Sequence, residues 1–206
     1  MFSQYYLRHF VPKWNALLTR IVYAGGRVSI GKGFSADSVP RIIVDKNCRV
    51  RIGDNVEFRR NVEIRAHGQS EVLIGDKTRI DRGVRLLAAN KARIDIQAGA
   101  RIGLYTVLNG GDSITVGKKA LISGFVYLQT SMHGYAARDQ SVQDQGYEHA
   151  PVQLADDTWL GTHVVVLPGV TIAQGGVVGS NAVVTKNVDA YQVVAGIPAK
   201  PLKERI

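Results

Sequence analysis

The sequence predicts an all-β solenoid of stacked triangular coils, on three observations. The dipeptides Ile30-Gly31, Ile52-Gly53 and Ile74-Gly75 recur every 22 residues, and Ile96 and Val116-Gly117 continue the series after a small slip. A finer period of six runs inside each unit, as in Ile52, Phe58, Ile64 and Ile74, Ile80, Leu86, and later through Leu154, Leu160, Val166, Ile172, Val178 and Val184. Gly, Asp and Asn cluster between the apolar positions, as in Gly53-Asp54-Asn55 and Gly179-Ser180-Asn181, supplying turn conformations that branched residues resist. One apolar residue in six does not fit a helix, whose buried positions recur at three and four. It fits a short strand and a tight turn, repeated, so that about 18 residues close one coil and equivalent strands pair in parallel from coil to coil.

Taken in order, residues 1–27 form a separate N-terminal segment. Pro12 followed by Trp14, Leu17, Leu18, Ile21 and Val22 is compatible with one amphipathic helix, proline being tolerated in the first turn. The segment has no uncharged run long enough for a transmembrane span, and Arg8, His9, Lys13 and Arg20 interrupt any signal-peptide core. Two placements stay open: a helix packed across the end of the domain, or an interfacial helix whose residues 1–24 touch a membrane. Residues 28–200 carry the coils, starting near Ile30, Ile52, Ile74, Ile96, Val116, Leu154 and Ile172. The first units are longer than about 18 residues, so a bulge is expected at the corner after the third hexapeptide. Residues 129–151 break the pattern with two His, four Gln and three acidic residues, and read as one extruded loop, since Leu128 and Leu154 keep the same phase across it. Residues 201–206 read as a short C-terminal tail or helix. Handedness does not follow from spacing; the usual crossover rule argues for a right-handed coil.

Composition narrows the function classes. The single cysteine, Cys48, excludes an internal disulfide and any Cys-rich metal site, and its apolar flanks read as a packed thiol in a protein of a reducing compartment. The net charge of +9 rests largely on arginines of the early coils and favours an anionic partner. Nucleic acid is not that partner by this reading, because neither interleaved exposed aromatics nor a binding motif accompanies the charge. Metal chemistry is not expected either, since His133, His149 and His163 lie sixteen and fourteen residues apart with no close pair.

The C-terminal section resembles the hexapeptide-repeat acyltransferases, in particular the maltose/galactoside and polysaccharide O-acetyltransferase branch. The matching motifs are Asp-Asp-Thr-Trp-Leu-Gly at 156–161, Val-Leu-Pro-Gly-Val-Thr-Ile at 166–172, Gly-Ser-Asn-Ala-Val-Val-Thr-Lys at 179–186 and Val-Ala-Gly-Ile-Pro-Ala-Lys at 194–200. The resemblance implies a left-handed parallel β-helix, a homotrimer, and acetyl-CoA as co-substrate held in grooves between subunits. The expected location is the cytoplasm, with the inner face of the membrane left open by the two placements of the N-terminal segment. It also implies that the polar loop is an arm covering the active site, with His133 in Thr-Ser-Met-His-Gly-Tyr matching the catalytic histidine. On the same grounds Trp159 would flank the pantetheine arm and Thr162 would meet its amides. Ser180, Thr185 and Lys186 match groove positions further along it, and Lys200 and Lys203 match basic residues near the adenosine phosphates. Asn109 lies near the family's acceptor-binding asparagine but is offset by several residues. The N-terminus does not look like the domain of the maltose-type enzymes, which favours a surface polysaccharide, lipopolysaccharide or precursor as acceptor.

Moving an acetyl group from a thioester to a hydroxyl requires a base, donors for the developing oxyanion, and both substrates held together. A neutral imidazole suits the first task at pH 7. His133 is the expected base and His149 its rival, with Glu148 placed to orient an imidazole. Tyr135, Arg138 and Glu148 are the loop residues expected to line the acceptor pocket. N-acetylation of an amino sugar or antibiotic uses the same machinery, and a nonenzymatic scaffold is the remaining alternative.

Overall fold

The computed structural model describes residues 10–206. The expectations that fall on residues 1–9, including part of the proposed membrane contact, lie outside the described residues. Helix α1 (Val11–Val22) lies at the N-terminal end of a left-handed parallel β-helix with three faces. The first face runs from Val28–Ile30 to Thr171–Ile172 in seven strands. The second runs from Ser35–Ala36 to Gln192–Ala195, and the third from Arg41–Val44 to Val183–Val184.

The register is the one the repeat implies. Ile30, Ile52, Ile74, Ile96, Val116, Leu154 and Ile172 pair rung on rung along the first face. Ile42, Ile64, Leu86, Leu108 and Leu128 do the same on the third. Nearly all of these side chains are fully buried, so the six-residue period is an inward-facing column. Each such residue contributes about 1.5–3 kcal/mol by leaving water. Cys48 belongs to this core, where its sulfur accepts from the Ser70 backbone N–H at 3.3 Å.

The long early coils differ from expectation. Instead of bulging, they have four-residue strands on the first and third faces, as in Arg49–Ile52 and Glu63–Ala66, against two residues in the late coils. The extra residues therefore extend ladders, as in the pairings Ile43–Arg65 and Val44–Ala66. A bulge would leave backbone groups unpaired, whereas a longer strand satisfies them.

The C-terminus is also corrected. Lys200–Glu204 is neither a loose tail nor a helix but a strand antiparallel to Gln192–Ala195, closing the second face. Arg205 fastens it, its Nη1 donating to the Gly175 carbonyl and to Asp157 Oδ2, each at 3.0 Å.

Candidate active site

The polar loop leaves the third face after Tyr127–Gln129 and folds into an antiparallel hairpin, Ser131–His133 against Tyr147–His149. Its root is tied into the coil by the buried Thr130. The Thr130 hydroxyl donates to the Asn109 carbonyl at 2.7 Å and accepts from the Asp112 N–H at 3.0 Å. The tip is held by its own polar groups: the Gln145 side chain bridges Ala137 and Gln140, and Ser141 donates to Asp144. Four glutamines in a short stretch, unexplained by the repeat, are thus partly structural.

At the root, the Ser131 hydroxyl lies 2.8 Å from His149 Nδ1. Gly111 makes room for the pair, since a Cβ there would come within 2.9 Å of that nitrogen. His149 and Tyr147 overhang a recess of about 460 Å³ on the third face, whose floor and walls include Arg65, Arg85, His67, Asn109 and Ser131. Asn109 donates to the Tyr127 hydroxyl at 2.9 Å, which fixes its amide. Glu63 bonds to Arg65 and, at 3.0 Å, to Arg85. Partial burial pushes the Glu63 carboxyl up, but these two guanidinium groups outweigh it and hold the group below its ordinary range.

His133 is exposed at the end of the outgoing strand, its ring centroid 4.1 Å from that of Tyr147. Among the described residues it does not line the recess that takes in His149 and Asn109. Glu148 lies opposite Met132 in the hairpin, and Tyr135 and Arg138 are exposed on the outer loop. Of the residues expected to meet the acceptor, the chain by itself brings together only Asn109 and the rival histidine.

The second face carries a different recess, of about 470 Å³, lined in part by Trp159. Trp159, Leu121, Val177 and Val193 make an apolar floor; Lys119, Lys203 and Arg205 supply cations around it. The indole Nε1 donates to Ser123 Oγ at 3.3 Å. Thr162 and Ser180 follow each other up the neighbouring corner, Thr162 donating to the Gly124 carbonyl at 2.9 Å. Thr185, Lys186 and Lys200 are exposed and lie outside this recess.

One cluster escaped the sequence reading. Tyr105, Phe125 and His163 occupy the same corner on successive coils with φ of 53°, 60° and 58°, and their rings stack at 5.4 and 4.9 Å. Bulky residues resist that backbone, and the stacking offsets the cost. The Arg82 guanidinium caps the ladder 5.7 Å from the Tyr105 ring. Arg65 and Arg85 figured only among the arginines of the early coils that favour an anionic partner, and Arg205 was missed. For the first two the signal was in the spacing, because a 22-residue coil sets Glu63 beside Arg85 and Arg65 beside Leu87. Among the described residues no group of three or more potential ligands is placed to hold a metal ion.

No family model matches the chain. Curated relatives do. A protein of Mycobacterium tuberculosis described as a probable acetyltransferase is 28% identical over 201 residues, covering 96% of this chain and 58% of its own length. An Escherichia coli protein provisionally named a lipopolysaccharide biosynthesis O-acetyl transferase is 28% identical over 166 residues, covering 77% of this chain and 80% of that one. A dTDP-4-amino-4,6-dideoxy-D-glucose acyltransferase of Escherichia coli is 29% identical over 160 residues, covering 75% and 81%. The chain thus spans under two thirds of the mycobacterial relative. Among solved structures, the Bacillus cereus N-acyltransferase AntD in complex with dTDP and 3-hydroxybutyryl-CoA superposes with a TM-score of 0.62 at 20% identity, covering 93% of this chain and 88% of that one. The polysialic acid O-acetyltransferase OatWY gives 0.58 at 22%, covering 86% and 88%. At these identities the structural likeness speaks for the shared β-helix fold.

Proposed function

We propose that this chain is an acyl-CoA-dependent acyltransferase of the hexapeptide-repeat class that acetylates a hydroxyl of a surface polysaccharide, a lipopolysaccharide or its precursor. The observation that carries the reading is the polar hairpin, which sets His149 at an arginine-bearing recess and holds His133 exposed at the end of its outgoing strand, on an otherwise regular coil. The curated relatives named as sugar acyltransferases support the substrate class.

The Trp159 recess fits acyl-CoA by its chemistry. Its apolar floor suits the pantetheine chain, and Lys119 with Lys203 offers cations to the phosphates, Arg205 being paired with Asp157. Bound acyl-CoA would supply an activated thioester carbonyl. The chain's part is to hold a neutral imidazole against the acceptor hydroxyl, take its proton as the oxygen attacks, and return a proton to the departing thiol. A positioned base contributes about 10² to 10⁴ in rate. Arg65, Arg85 and Asn109 would orient a polar or anionic acceptor beside the hairpin.

The hairpin and the Trp159 recess lie on different faces of one chain. A complete site therefore calls for the hairpin of one subunit to meet the second face of another, which is the arrangement of a homotrimer. His133, exposed and free of the local recess, is the residue that such a neighbour would meet, and we assign it the role of base. His149 is the second reading, favoured by its bond to Ser131 and its place in the recess.

Coenzyme A is expected to raise the thermal transition of the purified protein; no shift at millimolar concentration would overturn the acyltransferase reading. His133→Ala should abolish transfer to the host glycan, followed by mass spectrometry, while keeping the coenzyme A shift. Retained turnover would move the base to His149, and an acetylated amine in the product would make the enzyme an N-acyltransferase.

A further inference from the structure

Helix α1 is mounted with its small and polar side inward. Ala16 and Thr19 are buried against the coil, Asn15 donates to the Asp37 carbonyl at 2.9 Å, and the Arg20 guanidinium donates to the carbonyls of Ile30 and Gly31. Tyr23 completes the anchor, its hydroxyl donating to Pro40 at 2.8 Å and accepting from the Ile42 N–H at 3.0 Å. The apolar stripe points the other way. Trp14 is 62% exposed, Leu17 49% and Ile21 63%, at the i, i+3, i+7 spacing of one helix face, with Val22 at 61% beside them. A surface helix ordinarily turns such a stripe to the core. An exposed one marks an interaction surface.

Charge indicates what covers it. The first 36 residues contain five cations, Arg8, Lys13, Arg20, Arg27 and Lys32, and no Asp or Glu. Arg20 is engaged with backbone carbonyls, whereas Lys13, Arg27 and Lys32 are exposed. A second copy laid on this end would set like charges against each other, which costs association energy. A surface with Trp, Leu and Ile at its centre and cations around them fits the boundary between headgroups and acyl chains of an anionic bilayer.

We propose that the α1 end of the solenoid docks on an anionic lipid bilayer, with Trp14, Leu17 and Ile21 entering the interface and Lys13, Arg27 and Lys32 meeting the headgroups. The proposal is independent of the acyl-transfer reading. It deepens the two placements open from sequence: the helix does pack on the domain, and by doing so it presents its apolar side outward.

Flotation of the full-length protein with vesicles tests it without reference to catalysis. Vesicles containing phosphatidylglycerol should carry the protein up the gradient, pure phosphatidylcholine vesicles far less, and added salt should weaken the difference. The double variant Trp14→Ser/Ile21→Ser should lose about tenfold or more in vesicle affinity while its thermal transition stays in place. Should that variant unfold, Lys13→Glu/Arg27→Glu leaves the packed side of the helix intact and should abolish the preference for phosphatidylglycerol. Failure of the unaltered protein to float with phosphatidylglycerol vesicles overturns the proposal. So does equal flotation of the variants, or a fall in solution mass on Trp14→Ser/Ile21→Ser, which would make the covering partner a second copy.

Discussion

Gly111→Ala tests whether the hairpin root sets the reacting geometry. Gly111 is not in the left-handed backbone region, so alanine strains nothing by itself. Its new methyl, however, would lie 2.9 Å from His149 Nδ1 and 3.1 Å from Cε1, and tighter still against Ser131 Oγ. Carbon contacts settle at about 3.5–4.0 Å, so the ring must retreat by roughly half to one ångström. The Ser131 hydroxyl must also rotate away, ending its 2.8 Å contact with His149. A lost hydrogen bond of this kind costs about 1 kcal/mol and the crowding about 1 kcal/mol more. For a chain of this size about 2 kcal/mol lowers Tm by roughly 4–8 °C. Displacing a positioned group by about an ångström costs on the order of 10² in kcat/KM. Differential scanning calorimetry and coenzyme A thiol release with extracted host glycan measure the two effects. If Tm falls as stated but turnover stays within about twofold, the root does not position the chemistry. If neither changes, the Ser131–His149 pair does not hold the root.

Two further outcomes follow from the core and from the charges. Leu108 is fully buried between Leu86 and Leu128, so Leu108→Ala should cost about 3–5 kcal/mol in urea unfolding, and a loss under about 1 kcal/mol would contradict a close-packed column. The Glu63 carboxyl titrates below its unfolded value of 4.5 because Arg65 and Arg85 outweigh the opposing effect of burial. Its depressed folded value makes the contribution to stability complete above that pH and lost as pH falls through the folded pKa. Glu63→Gln should therefore flatten the acid limb of the stability curve, read by circular dichroism at stepped pH; an unchanged limb refutes the coupling.

The coil was legible because stacking forces one inward side chain per strand. Ile52, Phe58 and Ile64 announce three strands of one coil, and the 22-residue repeat announces which residues lie above them. The hairpin was legible as an exception, since Leu128 and Leu154 stay in phase around it. The four-residue strands were not, because the period counts residues per coil and does not say whether a strand or a corner takes the surplus. The aromatic corner was hidden for a related reason: Tyr105, Phe125 and His163 stand at irregular spacings of 20 and 38 residues, and only the loop's excursion returns His163 to the same edge.

By itself, then, the sequence determined the repeat, the register, the buried column and the place of the insertion, all of which follow from local periodicity and the need to bury aliphatic surface. Tertiary structure alone decided which outward side chains share a recess. His149 joins Asn109, Arg65 and Arg85 although 40 to 84 residues separate them, because parallel stacking at about 4.8 Å per rung sets the strands that carry Arg65, Arg85 and Asn109 on successive rungs of the face from which the hairpin leaves. It also decided the facing of helix α1. The amphipathic pattern of residues 11–22 specifies that two sides differ, but the polar anchors Asn15, Arg20 and Tyr23, bonded to carbonyls of the first coil, turn the apolar side away from the core.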